Sequence, residues 1–187
     1  MADIVTGQPK VFFSHTFEAQ FLEAFPPTGR PGLLDRYAAL GVDFSKPLLP
    51  AYEYAIWRAC LVAQREEFLP HLGVDDASRE QGARFVQAYF ERTLLGKPLL
   101  LLLRALGPRR TLERMATNFR SANNFSDVKV RVLGPRAAEL GINDVFSDSP
   151  EYISGMLGRG LEMVGTAIRM KTVSRDGDAA TFAIEWT

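Results

Sequence analysis

The stretch Asn123-Asn124-Phe125-Ser126-Asp127-Val128-Lys129-Val130-Arg131-Val132 marks the point at which the hydrophobic period of this chain changes from helical to alternating. Val128, Val130 and Val132 fall on one side of an extended chain and Lys129 and Arg131 on the other, the pattern of a strand with one face buried. On its N-terminal side, Gly107-Pro108-Arg109-Arg110-Thr111 opens a short cationic amphipathic helix that carries Arg114 and Arg120 into the Asn123-Asn124 corner. Proline suits the first turn of such a helix because its missing N–H would find no partner there. Before it, Leu99 to Leu103 is apolar on nearly every side, which predicts a central helix able to cover a sheet. That run is flanked by Lys97 and Arg104 and is far shorter than the roughly 20 apolar residues that cross a bilayer, so no membrane span is expected.

The rest of the first half keeps the helical period. Phe17, Phe21, Leu22 and Phe25 form one stripe, stopped by Pro26-Pro27 and Gly29. Pro31 to Leu40 is a second helix, with Gly41 placed for a left-handed cap. A longer one carries Tyr54, Ile56, Trp57, Cys60, Leu61, Gln64 and Phe68 and ends at Pro70. Asp75-Asp76 suits the start of the next, whose inward face is Ala83, Val86, Tyr89 and Phe90.

Downstream of the Asn-Asn corner, Ala137 to Val145 holds a second strand, weakened by Gly141. Ser149-Pro150 then starts a helix with Ile153, Met156, Leu157, Gly160, Leu161 and Val164 on its apolar face. Ile168 to Val173, the Asp176-Gly177 turn and Ala180 to Trp186 make a hairpin, against which Gly155, Gly158 and Gly160 are expected to let the helix sit closely. The fold class is therefore α+β: a helical N-terminal half packed on a small antiparallel sheet of about four strands, with one helix inserted before the C-terminal hairpin.

The 187 residues are expected to form a single domain, residues 1–187, large enough to bury roughly 70% of the surface of the unfolded chain. Lys+Arg and Asp+Glu are equal at 22 each, which argues against a whole-chain basic field and hence against nucleic acid as a partner. Cys60 is the only cysteine and His15 and His71 the only histidines, so no internal disulfide and no Cys/His zinc spacing can be drawn. With no secretory signal in Met1-Ala2-Asp3-Ile4-Val5, a cytoplasmic location is expected.

The leucine-rich helix, the Gly-Pro-Arg-Arg segment at Gly107 to Arg110 and the Phe-Arg-x-x-Asn-Asn corner at Phe119 to Asn124 resemble those of the uncharacterised paralogous domain family of myxobacteria. The likeness extends through the Gly-rich helix Gly155 to Gly165 to the terminal Glu185-Trp186. More coarsely, the order of elements looks like the fold shared by haem nitric-oxide sensors, 4-vinyl-reductase-type domains and vesicle-tethering transport subunits. That resemblance implies a small-molecule sensor role and dimerisation. It does not carry haem across, because the Tyr-x-Ser-x-Arg motif and any histidine are missing between Phe90 and Thr187, so haem is judged unlikely.

The candidate ligand contacts are Tyr52, Trp57, Cys60, Arg109, Arg120, Asn123 and Asn124. The aromatic pair and Cys60 lie on or beside one inward-facing helix and either wall an apolar pocket or are ordinary core. Arg109 and Arg120 either meet an anionic group or decorate a solvated face. Asn123 and Asn124 either bond a ligand or cap a helix and bend the chain. Ser14 and His15 are adjacent, yet adjacency makes no nucleophile-base pair without an orienting acid, and no catalytic set is assigned. The expected function is a non-enzymatic sensory or regulatory domain with a small, partly hydrophobic or anionic ligand in an internal pocket; the alternative is a homodimeric interaction module with a solid core.

Overall fold

A two-stranded antiparallel ribbon, β1 (Val11–Phe13) with β2 (Ala51–Glu53), sets Phe12 opposite Tyr52 and has no counterpart in the sequence pattern. The computed structural model that contains it describes residues 8–187, so the Met1 to Val5 stretch, expected to hold no secretory signal, lies outside. α1 (Ser14–Phe17) continues into a π-helical turn over Glu18–Glu23, and the Phe17, Phe21 and Phe25 stripe is buried. α2 (Pro31–Ala39) ends before Gly41, whose φ of 95° is the left-handed stop expected there. α3 (Tyr54–Phe68) and α4 (Val74–Arg92) form the next layer.

α5 (Gly96–Glu113) is broken at Gly107, where φ is 76° and ψ 174°, so Pro108 begins a new turn in a new direction. A second short break leads into α6 (Met115–Arg120). β3 (Val128–Gly134) and β4 (Ala137–Ile142) follow, then α7 (Glu151–Val164), β5 (Ile168–Asp176) and β6 (Ala179–Trp186). The four strands lie in the order β3-β4-β6-β5, antiparallel throughout, so the helix between β4 and β5 returns the chain to the far edge. Ser149 Oγ accepts the Glu151 N–H and donates to Asp75 Oδ1 at 2.6 Å, fixing the start of α7 to the start of α4.

Two expectations are corrected. The leucine-rich helix is not central: Leu100 and Leu103 are buried, but Leu101 and Leu102 face outward. A helix turns about 100° per residue, so five consecutive leucines cannot all face one neighbour. α5 packs on α4, α6 and α7, while α7 and α6 lie against the sheet. The α7 glycines likewise serve another purpose. A Cβ on Gly155 would lie 2.8 Å from the Arg79 carbonyl carbon, and one on Gly82 2.9 Å from that of Tyr152. The two glycines are reciprocal and bring α4 and α7 into backbone contact, whereas Gly158 faces open space.

The interior is a large aromatic-rich cluster crossed by a satisfied polar network, with a small second cluster of Phe25, Leu69 and Ala77 beside it. Gln20 Nε2 donates to Gln64 Oε1 at 2.7 Å, Gln81 Nε2 donates to the same oxygen at 3.0 Å, and Tyr152 Oη donates to Gln20 Oε1 at 2.8 Å. Buried amides of this kind are tolerated only when paired, and here they tie the π turn, α3, α4 and α7 together.

Candidate functional site

The helical periods of α4 and α7 aim complementary rows at each other: Phe85, Val86, Tyr89 and Phe90 from one, Tyr152, Met156 and Gly160 from the other. Where the rows diverge, Leu99 and Leu103 of α5 and Met115 and Phe119 of α6 close the gap. The helices and the floor beneath them line a partly open cavity of about 90 Å³. Phe12, Trp57 and Phe146 form that floor. Phe12 stacks on Trp57 with ring centroids 4.1 Å apart, and Phe146 meets Phe12 edge-on at 5.3 Å.

Phe146 is held in an unusual conformation. Its φ is 65°, the left-handed region a bulky residue avoids. Asp144 Oδ1 accepts the Phe146 N–H at 2.9 Å, and Phe146 O accepts from Trp57 Nε1 at 3.0 Å. Asp144 is itself fully buried, taking Tyr54 Oη at 2.6 Å and the Lys10 ammonium at 2.9 Å. The floor of the cavity is thereby linked, through one carboxylate, to a half-exposed lysine.

Polar groups on the lining are few and mostly occupied. Thr111 Oγ1 donates to Leu103 O at 3.3 Å, and the Tyr152 hydroxyl is spent on Gln20. Burial pushes the phenols of Tyr89 and Tyr152 above their ordinary range, so both stay neutral. Among the described residues the lining holds no charged side chain, histidine or cysteine. Such a surface recognises a neutral, apolar shape and offers no nucleophile-base pair. Among the described residues no cluster of metal-binding side chains occurs, and no helix is long and apolar enough to cross a membrane.

Of the residues expected to contact a ligand, Trp57 lines the cavity. Tyr52 lies outside it, packed on Phe17 with its hydroxyl accepting the Leu49 N–H at 3.0 Å. Cys60 is fully buried in α3, and desolvation pushes its thiol up to about 12. Arg109 is exposed and paired with Glu113 at 3.1 Å; Arg120 Nε reaches Ser126 O at 3.3 Å. Asn123 is buried, its Oδ1 accepting the Phe125 and Ser126 N–H groups. Asn124 accepts the Val11 N–H at 2.9 Å and donates to Pro9 O at 3.0 Å, binding the corner to β1. The floor residues Phe12 and Phe146 are not among the contacts that the sequence points to. The sole signal for Phe146 is Asp144 two residues earlier, an Asx-turn residue beside an aromatic.

The family described as Protein of unknown function (DUF2378) matches residues 10–187 of this chain. No curated protein matches it. Among solved structures the chain is similar to the Fe(II) unliganded H-NOX protein from K. algicida, at 11% identity over 92% of this chain and 95% of that one, with a TM-score of 0.64. It is also similar to an oxygen-binding H-NOX domain related to soluble guanylate cyclases, at 11% identity over 92% and 93% of the two chains, with a TM-score of 0.66. At these identities the fold alone is shared.

That likeness corrects the expectation against haem, which rested on missing sequence motifs. The structures that share this fold are H-NOX domains, one of them an Fe(II) form and another an oxygen complex, so the missing motifs do not exclude haem. The lining states what it would meet here. An axial donor is required, and the chamber offers the Met115 and Met156 thioethers and two neutral phenols. The cavity of about 90 Å³ is smaller than the roughly 150 Å³ void that admits benzene. As packed, these residues do not fit a porphyrin; α4, α5 and α6 would have to part around it.

Proposed function

We propose, for a chain that belongs to the family Protein of unknown function (DUF2378), a sensory or regulatory role in which the chamber between α4, α5, α6 and α7 binds a small, at least partly hydrophobic ligand. The observation that carries this reading is the partly open, apolar-lined cavity of about 90 Å³ in an interior of a kind that is otherwise close-packed. Its lining of aromatic, aliphatic and thioether groups supports binding by shape. Among the described residues its only titratable groups, the phenols of Tyr89 and Tyr152, stay neutral, which supports a sensor over an enzyme. Of the contacts expected from the sequence, Trp57 is the one kept beside the ligand; Tyr52 and Cys60 support its helix from behind.

Native mass spectrometry of the purified chain, compared with its denatured mass, tests the proposal. A retained species, whether a small apolar molecule or haem, supports it, and the same compound added back should raise the melting temperature. At a ligand concentration 100 times Kd the native state gains about 2.7 kcal/mol, or roughly 5 to 11 °C for a chain of this size. Leu103→Trp places an indole in the void and should abolish the gain while leaving the fold intact. A chain that retains nothing and whose melting temperature no apolar compound or haemin raises refutes the reading.

A further inference from the structure

We propose that the outward face of α5, together with the turn leading into it, docks on an anionic lipid bilayer. The inference stands apart from the chamber reading and its test uses no chamber ligand. Leu94 is 94% exposed, Leu95 59%, Leu101 67% and Leu102 45%. They occupy the α4–α5 turn and the first two turns of α5, within about 10 Å along the helix axis. Among the described residues nothing covers them.

The leucines are held outward by a rigid turn. Thr93 Oγ1 donates to Tyr89 O at 2.7 Å and accepts the Gly96 N–H at 2.9 Å. Gly96 is seated against the backbone of Tyr89 and Phe90, where a Cβ would come within 2.7 Å of the Phe90 Cα. The turn therefore cannot fold its leucines inward without breaking its own bonds. Exposed leucines fixed in this way match the boundary between headgroups and acyl chains.

Charge selects the partner. From Arg92 to Leu112 the chain carries Arg92, Lys97, Arg104, Arg109 and Arg110 and no acidic residue; Arg92 is paired with Glu23 and Arg109 with Glu113, so among the described residues the cations left to meet a surface are Lys97, Arg104 and Arg110. Lys97 and Arg104 bracket the outward leucines of α5, and both are exposed. Arg104 is steadied by a hydrogen bond from Nε to Met163 O at 2.8 Å. Apolar side chains flanked by fixed cations match a surface that is apolar beneath and anionic above.

Co-sedimentation of the full chain with vesicles of phosphatidylcholine alone, and of phosphatidylcholine mixed with phosphatidylglycerol, tests the assignment. Binding to the mixed vesicles, weakened by salt and absent with phosphatidylcholine alone, is expected. Lys97→Gln should weaken it about fivefold, and Leu94→Ser combined with Leu101→Ser about tenfold or more. All three positions are exposed, so melting curves should be unchanged. No binding at low salt, equal binding to both vesicle types, or full binding by the leucine variant overturns the proposal. Self-association that the leucine variant loses, without vesicle binding, also overturns it and assigns the face to a second copy of this chain.

Discussion

Gly155→Ala should be among the most damaging single-methyl changes available in this protein. A Cβ at Gly155 would lie 2.8 Å from the Arg79 carbonyl carbon and 3.0 Å from its Cα, both backbone atoms in the body of α4. No rotamer change can relieve that overlap, so α4 and α7 must part by about 1 Å to reach ordinary contact. A gap of 0.5 to 1 Å already forfeits about a quarter to a half of each dispersion contact across it. The contact is shared by the reciprocal Gly82 and by the wall residues Phe85, Val86, Tyr152 and Met156. Overpacking of cores generally costs about 1 to 3 kcal/mol; with backbone on both sides we expect about 3 to 5. For a chain of this length that lowers the melting temperature by roughly 6 to 20 °C. Gly158→Ala is the matched control, one turn along the same helix, where a Cβ meets nothing within 4 Å. There, removing the glycine's backbone freedom should stabilise by about 0.4 to 1 kcal/mol. Denaturant unfolding of both variants reads the pair. A Gly155→Ala loss below about 1 kcal/mol, or the same sign for both, would refute the backbone-contact reasoning.

Cys60 should resist thiol reagents in the native state at neutral pH and react only on unfolding. Its folded pKa of about 12 lies above the ordinary 9.0, so its contribution is complete below pH 9 and is lost as pH rises from there toward 12. Cys60→Ala should flatten the stability profile in that alkaline window, and an unchanged slope would argue against it. Asn124→Ala removes two side-chain bonds to the backbone of Pro9 and Val11. It should cost about 1 to 2 kcal/mol and speed amide exchange in β1 before any other strand. Gln64→Leu strands the Gln20 amide and removes the donor to Gln20 O, while Gln81 Nε2 keeps Leu61 O as its acceptor, a loss of about 2 to 4 kcal/mol that a combined replacement of the three glutamines should partly recover.

The architecture is legible where local chemistry decides. Gly41, Gly107 with Pro108, Ser149 with Pro150 and the Asp176-Gly177 turn each enforce a backbone conformation on their own. The valine alternation of β3 declares which face is buried. Long-range pairings leave no such trace. β1 and β2 are only three residues each, too short for a period to show, and β1 is tied to Asn124, more than a hundred positions away. The leucine run misleads because composition reports hydrophobicity and not direction. The α7 glycines do signal a close approach, but which element they approach is set by topology. The chamber is half legible: Val86, Tyr89 and Phe90 declare an inward face by period, while Phe12 and Phe146 reach it from irregular or very short segments where no period exists.

The persistence of the void has a structural cause. Gly82 and Gly155 clamp α4 to α7 through backbone contact, and Gly96 seats the start of α5 against Tyr89 and Phe90. Neither spacing can shrink, because the touching atoms are main chain. The kink at Gly107 then turns Thr111 and the following turn across the open side instead of letting α5 continue past it. The floor cannot rise, since Phe146 is fixed by Asp144 below and by Trp57 beside it. The unfilled space forfeits packing contacts along its lining, and the left-handed Phe146 costs about 1 to 2 kcal/mol. Both costs fall on one spot in a fold whose net stability is of the order of 5 to 15 kcal/mol. An apolar cavity beside a strained aromatic floor gives an occupant both space to fill and lost contacts to restore. The same geometry fixes how an occupant would be felt: any molecule too large for the void must displace the α5 wall or the Phe146 floor, and the floor is connected through Asp144 to Lys10 at the surface.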